Sequence, residues 1–397
     1  MKKSFSSLGN IGKSVLVSLV ALSAIAALLS YKLLSLTGNR YSSSEVTTFM
    51  SAQSWRFIYD NPLELPHKLI IWTVSTLGQH SYGVTRITSV LFAAAAVFLF
   101  YYIVRSWLSK RVAILSTVLF AFSNGFLHSG RLGTAAVLQF SVLVLFAMPI
   151  LIHQAAPGWR RRLIYMSSVI FAALVYIPGL IWQILLTIVL RRKKLFRLWS
   201  RLALVHKSII VFASLLAIAP LVWAFIRTPQ LLLTWLGLPQ NFPAIDTILN
   251  NAQTLISTLF YHSGFSPEYV THGGALLTIA ELVLLILGVY AQLKRPRHNT
   301  NYHLLGAIGI ATALILVSGG MFIPALVPLL YLLIAGGMYY FLNEWLAVFP
   351  RNPIARGIGV GVIVLIVVFA LGYHTRSYFD AWPNNVVTKQ VFSIEQK

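Results

Sequence analysis

Moving a group from a phosphate ester to a hydroxyl needs two kinds of side chain. A carboxylate must take the proton of the attacking hydroxyl, and cations must hold the oxygens of the departing phosphate, Arg doing so with a two-pronged fork. Both kinds gather early in this sequence. Glu45 stands in YSSSEVTTFMSAQSW, Asp60, Glu64, His67 and Lys68 in DNPLELPHKLIIWTVSTLG, and Arg86 in GVTRITSVLF. His128 and Arg131 follow in a short turn, HSGR, and a later loop, FYHSGFSPEYVTHGG, adds His262, Glu268 and His272. Metal chemistry has no such support: there is no cysteine, and His67, His80, His128, His262, His272 and His374 show no i, i+3 or i, i+4 pair. No stretch fits the Walker A, HExxH or GxSxG patterns.

The elements that position these residues follow from composition. Of 397 residues, 57% are hydrophobic and 10% charged, against about 25% charged in soluble domains. So few charges cannot coat a globule in water, which excludes a soluble enzyme. The net charge of +22 would suit a nucleic-acid binder if it lay on one soluble face. Here the basic residues fall in short clusters between long apolar runs, so nucleic acid is not an expected partner. That pattern orients a multi-span protein against an anionic cytoplasmic leaflet.

The apolar runs predict an all-α, polytopic membrane protein of about eleven spans in a single domain over 1–397. The first run, Ser14 to about Leu36, exceeds the ~7–15 residues of a signal-peptide core and reads as a retained helix. The second covers Ile87 to Trp107, and others lie near 112–127, 133–152, 163–177, 178–190, 208–226, 275–292, 304–319, 322–342 and 357–373. Placing the N-terminus in the cytoplasm puts Lys110–Arg111, Arg160–Arg162 and the RRKKLFRLWSRLALVHK run there, with most of the 31 basic residues. Seven of the nine acids then face outward: Glu45, Asp60, Glu64, Asp246, Glu268, Asp380 and Glu395. The outward segments include the long stretches 38–86 and 227–274 and a short tail, 374–397. One or two helices within 45–77 are expected to lie in the interface, the first capped by one of Ser42–Ser44. Gly319-Gly320 and Gly336-Gly337 read as places where helices approach closely.

The order of these pieces resembles the GT-C glycosyltransferases, in particular the branch of the protein O-mannosyltransferases and aminoarabinose transferases. Ser44-Glu45 stands at that family's acidic pair, PHKLIIWTVSTLG at its Pro-rich helix, and Arg86 at the arginine opening its second span. SWLSKRVAILSTVLFAFSNGFLHSGRLGT resembles the third span and the turn after it, GGMFIPALVPLLYLLIAGG the penultimate span, and YFDAWPNN the outer tail. The resemblance implies an inverting transfer of a sugar from a polyprenyl-phosphate donor to an extracytoplasmic lipid, glycan or protein. It implies Glu45 as the base that activates the acceptor and Lys68 and Arg86 as cations for the donor phosphate; by residue type and outward position Arg131 joins those cations, and Asp60, Glu64, His67, His128 and Glu268 are candidates for support. No cofactor is expected, although some members of the superfamily use divalent cations. The expected setting is the cell membrane, with an outward C-terminus and with lipids and the donor as partners.

Three positions depart from that pattern. The first acid of the pair is Ser44, the acid expected after Arg131 falls on Thr134, Ala135 and Ala136, and the arginine of the penultimate span is Gly320. These losses bear on catalysis rather than on fold. They define one rival, a non-catalytic member of the fold that binds a polyprenyl lipid; a transporter or flippase is the second.

Overall fold

The computed structural model describes residues 25, 27 and 29–395, apart from 79, 201, 273 and 295–298. Most of the expected first span lies outside the described residues. From Arg40 onward the chain is a bundle of helices: α1 (Ser43–Met50), α2 (Trp55–Asp60), α3 (Leu65–Thr76), α4 (Gly83–Trp107), α5 (Lys110–Phe122), α6 (Asn124–Arg131), α7 (Val142–Gln154) and α8 (Pro157–Leu174). There follow α9 (Leu180–Ser200), α10 (Leu204–Arg227), α11 (Gln230–Leu236), α12 (Ile245–Phe260), α13 (Ile279–Lys294), α14 (Asn299–Ser318), α15 (Ile323–Val348) and α16 (Pro353–Arg376). The tail continues through a π-helical turn, Ser377–Ala381, into α17 (Trp382–Asn384) and α18 (Val386–Val391).

The breaks between helices are chemical. Leu108 ends α4 and Ser109 caps α5, its hydroxyl accepting the Val112 N–H at 3.5 Å. Ser123 leaves helical geometry at ψ 144 and caps α6 by accepting the Phe126 N–H, so that α5 and α6 meet at a 59° bend. A serine offers its own oxygen to the orphan N–H groups of a new helix, which is why helices stop and restart there.

Among the described residues, five helical stretches are long and apolar enough to cross a membrane: Gly83–Trp107, Ala135–Gln154, Leu204–Arg227, Gly320–Val348 and Pro353–Asn384, or six with the bent α5–α6 pair. That is fewer than the ten expected spans that follow the first, although each of those ten runs coincides with helix. The shortfall has local causes. α8 opens with charged residues, α9 turns basic after Leu190, and α13 has 16 residues.

α15 is the hub of the bundle. In its apolar window 89% of residues are buried, against 11% for α10, whose Phe212, Leu215, Leu216 and Ile226 face outward. A face that greasy suits hydrocarbon rather than water. α13 and α15 cross at glycines: a Cβ on Gly337 would overlap the Leu284 carbonyl, and one on Gly288 the Leu333 carbonyl. Gly337 therefore acts as expected for close helix approach, while Gly336 meets nothing within 4 Å.

At the loop-rich end, the one strand pair among the described residues joins β1 (Arg40–Tyr41) to β2 (Ile394–Glu395), antiparallel. An Arg40–Glu395 ion pair at 2.8 Å reinforces it. The C-terminal tail is thus stitched to the loop that holds Glu45.

Candidate functional site

The sequence Ser42-Ser43-Ser44-Glu45 forms a capping box. The Ser42 hydroxyl accepts the Glu45 N–H at 3.3 Å, and the Glu45 carboxylate accepts the Ser42 N–H at 3.1 Å. Such a box satisfies two orphan donors at once and fixes where α1 begins. The same carboxylate receives Arg86 in a bidentate fork, Nε to Oε1 at 2.8 Å and Nη2 to Oε2 at 2.9 Å. A fourth donor, the Gly133 N–H, reaches Oε1 at 2.8 Å. A carboxylate offers about four acceptor positions, and all are taken. Glu45 is 0% exposed and Arg86 2%.

Arg86 is equally committed. Its remaining N–H groups reach the Leu33 carbonyl (3.2 Å), the Thr37 hydroxyl (3.1 Å) and the Arg40 carbonyl (2.8 Å), and its plane lies 4.6 Å from the Tyr41 ring. All five guanidinium donors are spent on protein. Gly133 must be glycine, because a Cβ there would overlap the Thr85 hydroxyl and stand 3.0 Å from Glu45 Oε1. This is a closed knot tying the 33–45 segment, α4 and the loop after α6. A hydroxyl could reach Glu45, or a phosphate Arg86, only by displacing a present partner.

The other expected residues lie apart. Lys68 is buried, its ammonium donating to the Asn61 carbonyl at 2.9 Å, and burial lowers its pKa against the pull of Glu64. Glu64 starts α3 in the left-handed region (φ 63), and its N–H donates to the Tyr176 carbonyl at 2.8 Å. Burial raises its carboxyl pKa, opposed by Lys68. Asp60 is exposed, 3.8 Å from Arg227. HSGR is not the expected surface turn: His128 and Arg131 belong to α6, every residue of which is buried. The hydrophobic residues around it close over the bend. His128 stands edge-on to Trp382 at 5.1 Å, and its ring lies within hydrogen-bond reach of the Glu268 backbone. The Arg131 guanidinium lies 4.8 Å from the Phe379 ring and 5.2 Å from the Tyr378 ring and donates to the Tyr31 carbonyl, with Nε and Nη1 left unpartnered.

Glu268 is different. Its Oε2 accepts the Ser44 hydroxyl at 2.9 Å across 224 residues of sequence, while its Oε1 is buried with no hydrogen-bond partner. One oxygen of this carboxylate thus keeps free lone pairs beside the start of α1. The Ser44 side chain is thus met by an acid from a distant loop.

Among solved structures, the chain is similar to the crystal structure of the Archaeoglobus fulgidus oligosaccharyltransferase tethered to an acceptor peptide with an NVT sequon. The TM-score is 0.51 at 15% identity, over 92% of this chain and 55% of that one. The fold is GT-C-like. The chain spans only a little over half the length of that relative. No protein-family profile and no curated protein matches the sequence.

The GT-C-like bundle holds a second carboxylate deeper inside. Glu281 at the start of α13 accepts the Thr278 N–H (2.7 Å) and hydroxyl (2.8 Å) and the Tyr331 hydroxyl (2.8 Å), and lies 3.0 Å from His374 Nε2. Fully partnered, it pins α13, α15 and α16 together. Among the described residues no group of three or more His, Cys, Asp or Glu could hold a metal ion, although the His262 and His272 rings meet at 5.4 Å.

Sequence reasoning missed Gly133 and the Ser44–Glu268 contact. Gly133 sits directly before the positions where an acid was sought, but contributes a backbone donor instead. Only the SPE context of Glu268, in the loop richest in ionisable groups, pointed toward the second.

His67 gives the site a pH signature. Its Nε2 lies 3.1 Å from the Ser89 hydroxyl, and burial, with the Lys68 charge as the lesser cause, lowers its pKa from 6.5 to about 3. Below pH 6.5 the unfolded chain takes up a proton that the folded chain refuses, so stability falls as pH drops toward about 3 and is untouched above 7. Between pH 7 and 5.5 this one group removes about 1 kcal/mol. His67→Gln is expected to lessen the loss by that amount in unfolding measurements in detergent. An unchanged pH slope would mean that His67 is protonated in the fold.

Proposed function

We propose that this chain is a membrane glycosyltransferase of the protein O-mannosyltransferase and aminoarabinose transferase-like branch. It moves a sugar from a polyprenyl-phosphate carrier to a lipid, glycan or protein acceptor at the outer face of the cell membrane. The observation that carries this reading is the half-satisfied carboxylate of Glu268 beside Ser44, at the loop-rich end of a GT-C-like bundle.

In this reading the acceptor hydroxyl attacks the anomeric carbon as the bond from that carbon to the phosphate oxygen breaks. The configuration inverts, and the hydroxyl proton passes to Glu268 Oε1. The carrier leaves as its phosphate, its charge balanced by basic side chains at the same end. Glu45, with every acceptor position filled, is a positioning residue: with Arg86 it holds Ser44 and α1 in place against Glu268. Loss of sugar transfer in Glu268→Gln, with donor binding kept, tests the assignment.

The saturation of Glu45, together with Ala135 and Ala136 where the branch has an acid, favours one other reading, a lipid-binding member that transfers nothing. Turnover of any polyprenyl-phosphate-linked sugar by the purified protein rejects it.

Eleven crossings with an inward N-terminus and an outward C-terminus complete the proposal. The chain has no cysteine, so single cysteines report topology on a clean background. Gln390→Cys is expected to react with a membrane-impermeant maleimide in intact cells, and Lys193→Cys only after permeabilisation. The reverse pattern would put the Glu268 site on the cytoplasmic side and contradict the proposal.

A further inference from the structure

Where the tail is stitched back, a half-open cavity of about 440 Å3 is lined by residues from within 32–40 on one side and by Phe379 and residues from within 383–392 on the other, Glu268 not among them. Three cations line it: Lys32, Arg40 and Lys389. Arg40 is paired with Glu395, but no carboxylate among the described residues pairs with Lys32 or Lys389. A further cation, Arg131, lies behind the Phe379 wall at 4.8 Å from that ring, also without a carboxylate. The cavity therefore carries surplus positive charge.

Thr388 gives the second, independent indication. It lines the cavity, is 1% exposed, and its buried hydroxyl has no hydrogen-bond partner. A buried hydroxyl left unpaired is costly, and an oxygen-rich ligand would satisfy it. Leu36, Phe379 and Phe392 supply an apolar wall beside these polar groups. The opposite wall is fixed by the Glu45–Arg86 knot, since Arg86 holds both the Thr37 hydroxyl and the Arg40 carbonyl.

We propose that this tail-lined cavity is a binding site for a phosphoester anion carrying an apolar chain, held by Lys32 and Lys389 with the Thr388 hydroxyl as donor. Cations, one free hydroxyl and an apolar wall match a phosphate head joined to a hydrocarbon. A free phosphate would use only the polar half. The inference requires binding and not transfer, so it stands or falls apart from the glycosyltransferase reading.

The test measures binding of a polyprenyl monophosphate to the full-length protein in nanodiscs of zwitterionic lipid, with inorganic phosphate as competitor. Lys32→Gln/Lys389→Gln changes two exposed side chains and is expected to fold as the wild type does. It should weaken polyprenyl monophosphate binding at least tenfold, and Thr388→Val should weaken it several-fold without lowering the thermal stability of the ligand-free protein. Competition by inorganic phosphate only at concentrations far above the lipid supports a lipid phosphoester. Equal affinity for inorganic phosphate and for the lipid overturns the apolar-chain assignment, and wild-type binding of both probes by the double variant overturns the site. Sugar transfer followed in parallel separates the two readings: lost binding with Glu268-dependent turnover intact removes this cavity from the reaction without touching the transferase proposal.

Discussion

Arg86→Met is expected to destabilise the protein by about 3–5 kcal/mol, the range for stripping one partner from a buried ion pair. The substitution leaves the Glu45 carboxylate fully buried with only two backbone donors, Ser42 and Gly133. It also releases the Leu33 and Arg40 carbonyls that Arg86 holds. Against a typical total of about 5–15 kcal/mol, this loss should suffice to reduce the folded yield. Glu45→Gln should cost less, because the amide oxygen still accepts from two donors. The double variant should be more stable than the sum of the two losses predicts, since it buries no unpaired charge. Unfolding in detergent measures all three. A loss below about 1 kcal/mol for Arg86→Met, within the range of an exposed pair, would mean that the knot is open to solvent.

Glu268→Gln is expected to slow sugar transfer by about 10²-fold or more, the range for removing a general base, with donor affinity unchanged. The substitution keeps shape and leaves an amide oxygen to accept the Ser44 hydroxyl at the place of Oε2, so the loop should stay docked on α1. Ser44→Ala should act less strongly, since it frees the carboxylate without removing it. The pair of variants distinguishes chemistry from packing: a structural role would lower stability and rate together, and a base role lowers the rate alone. Equal losses from Ser44→Ala and Glu268→Gln would assign Glu268 to packing.

Much of the architecture was legible before any coordinates. Helices coincide with every expected run after the first, because a run of apolar residues in this composition has few other ways to satisfy its backbone. The Ser42–Glu45 box was readable as a helix start, since S-x-x-E carries its mechanism in its spacing. The fate of Glu45 was not. Whether an acid after a first span is free or clamped depends on Arg86 and on a glycine N–H at 133, and neither signals its direction in sequence. Arg131 misled for the opposite reason. Its neighbours Ser129 and Gly130 suggest a surface turn, yet the bend at Ser123 drives the whole of α6 into the core. The Ser44–Glu268 contact joins segments too far apart for local pattern to reveal. Tail residues such as Thr388 and Lys389 gain meaning only once the two-residue strand pair folds the C-terminus back onto Arg40.

The most direct test of the account places the purified wild-type chain in nanodiscs with a polyprenyl-phosphate-linked sugar and a pool of outer-envelope acceptors, and follows the carrier phosphate set free. Release that tracks sugar appearing on an acceptor, and that drops in the Glu268→Gln protein, is the result the account requires. Donor bound tightly but recovered intact after long incubation with every sugar and acceptor tried would contradict it, and would leave a lipid-binding protein built on a glycosyltransferase frame.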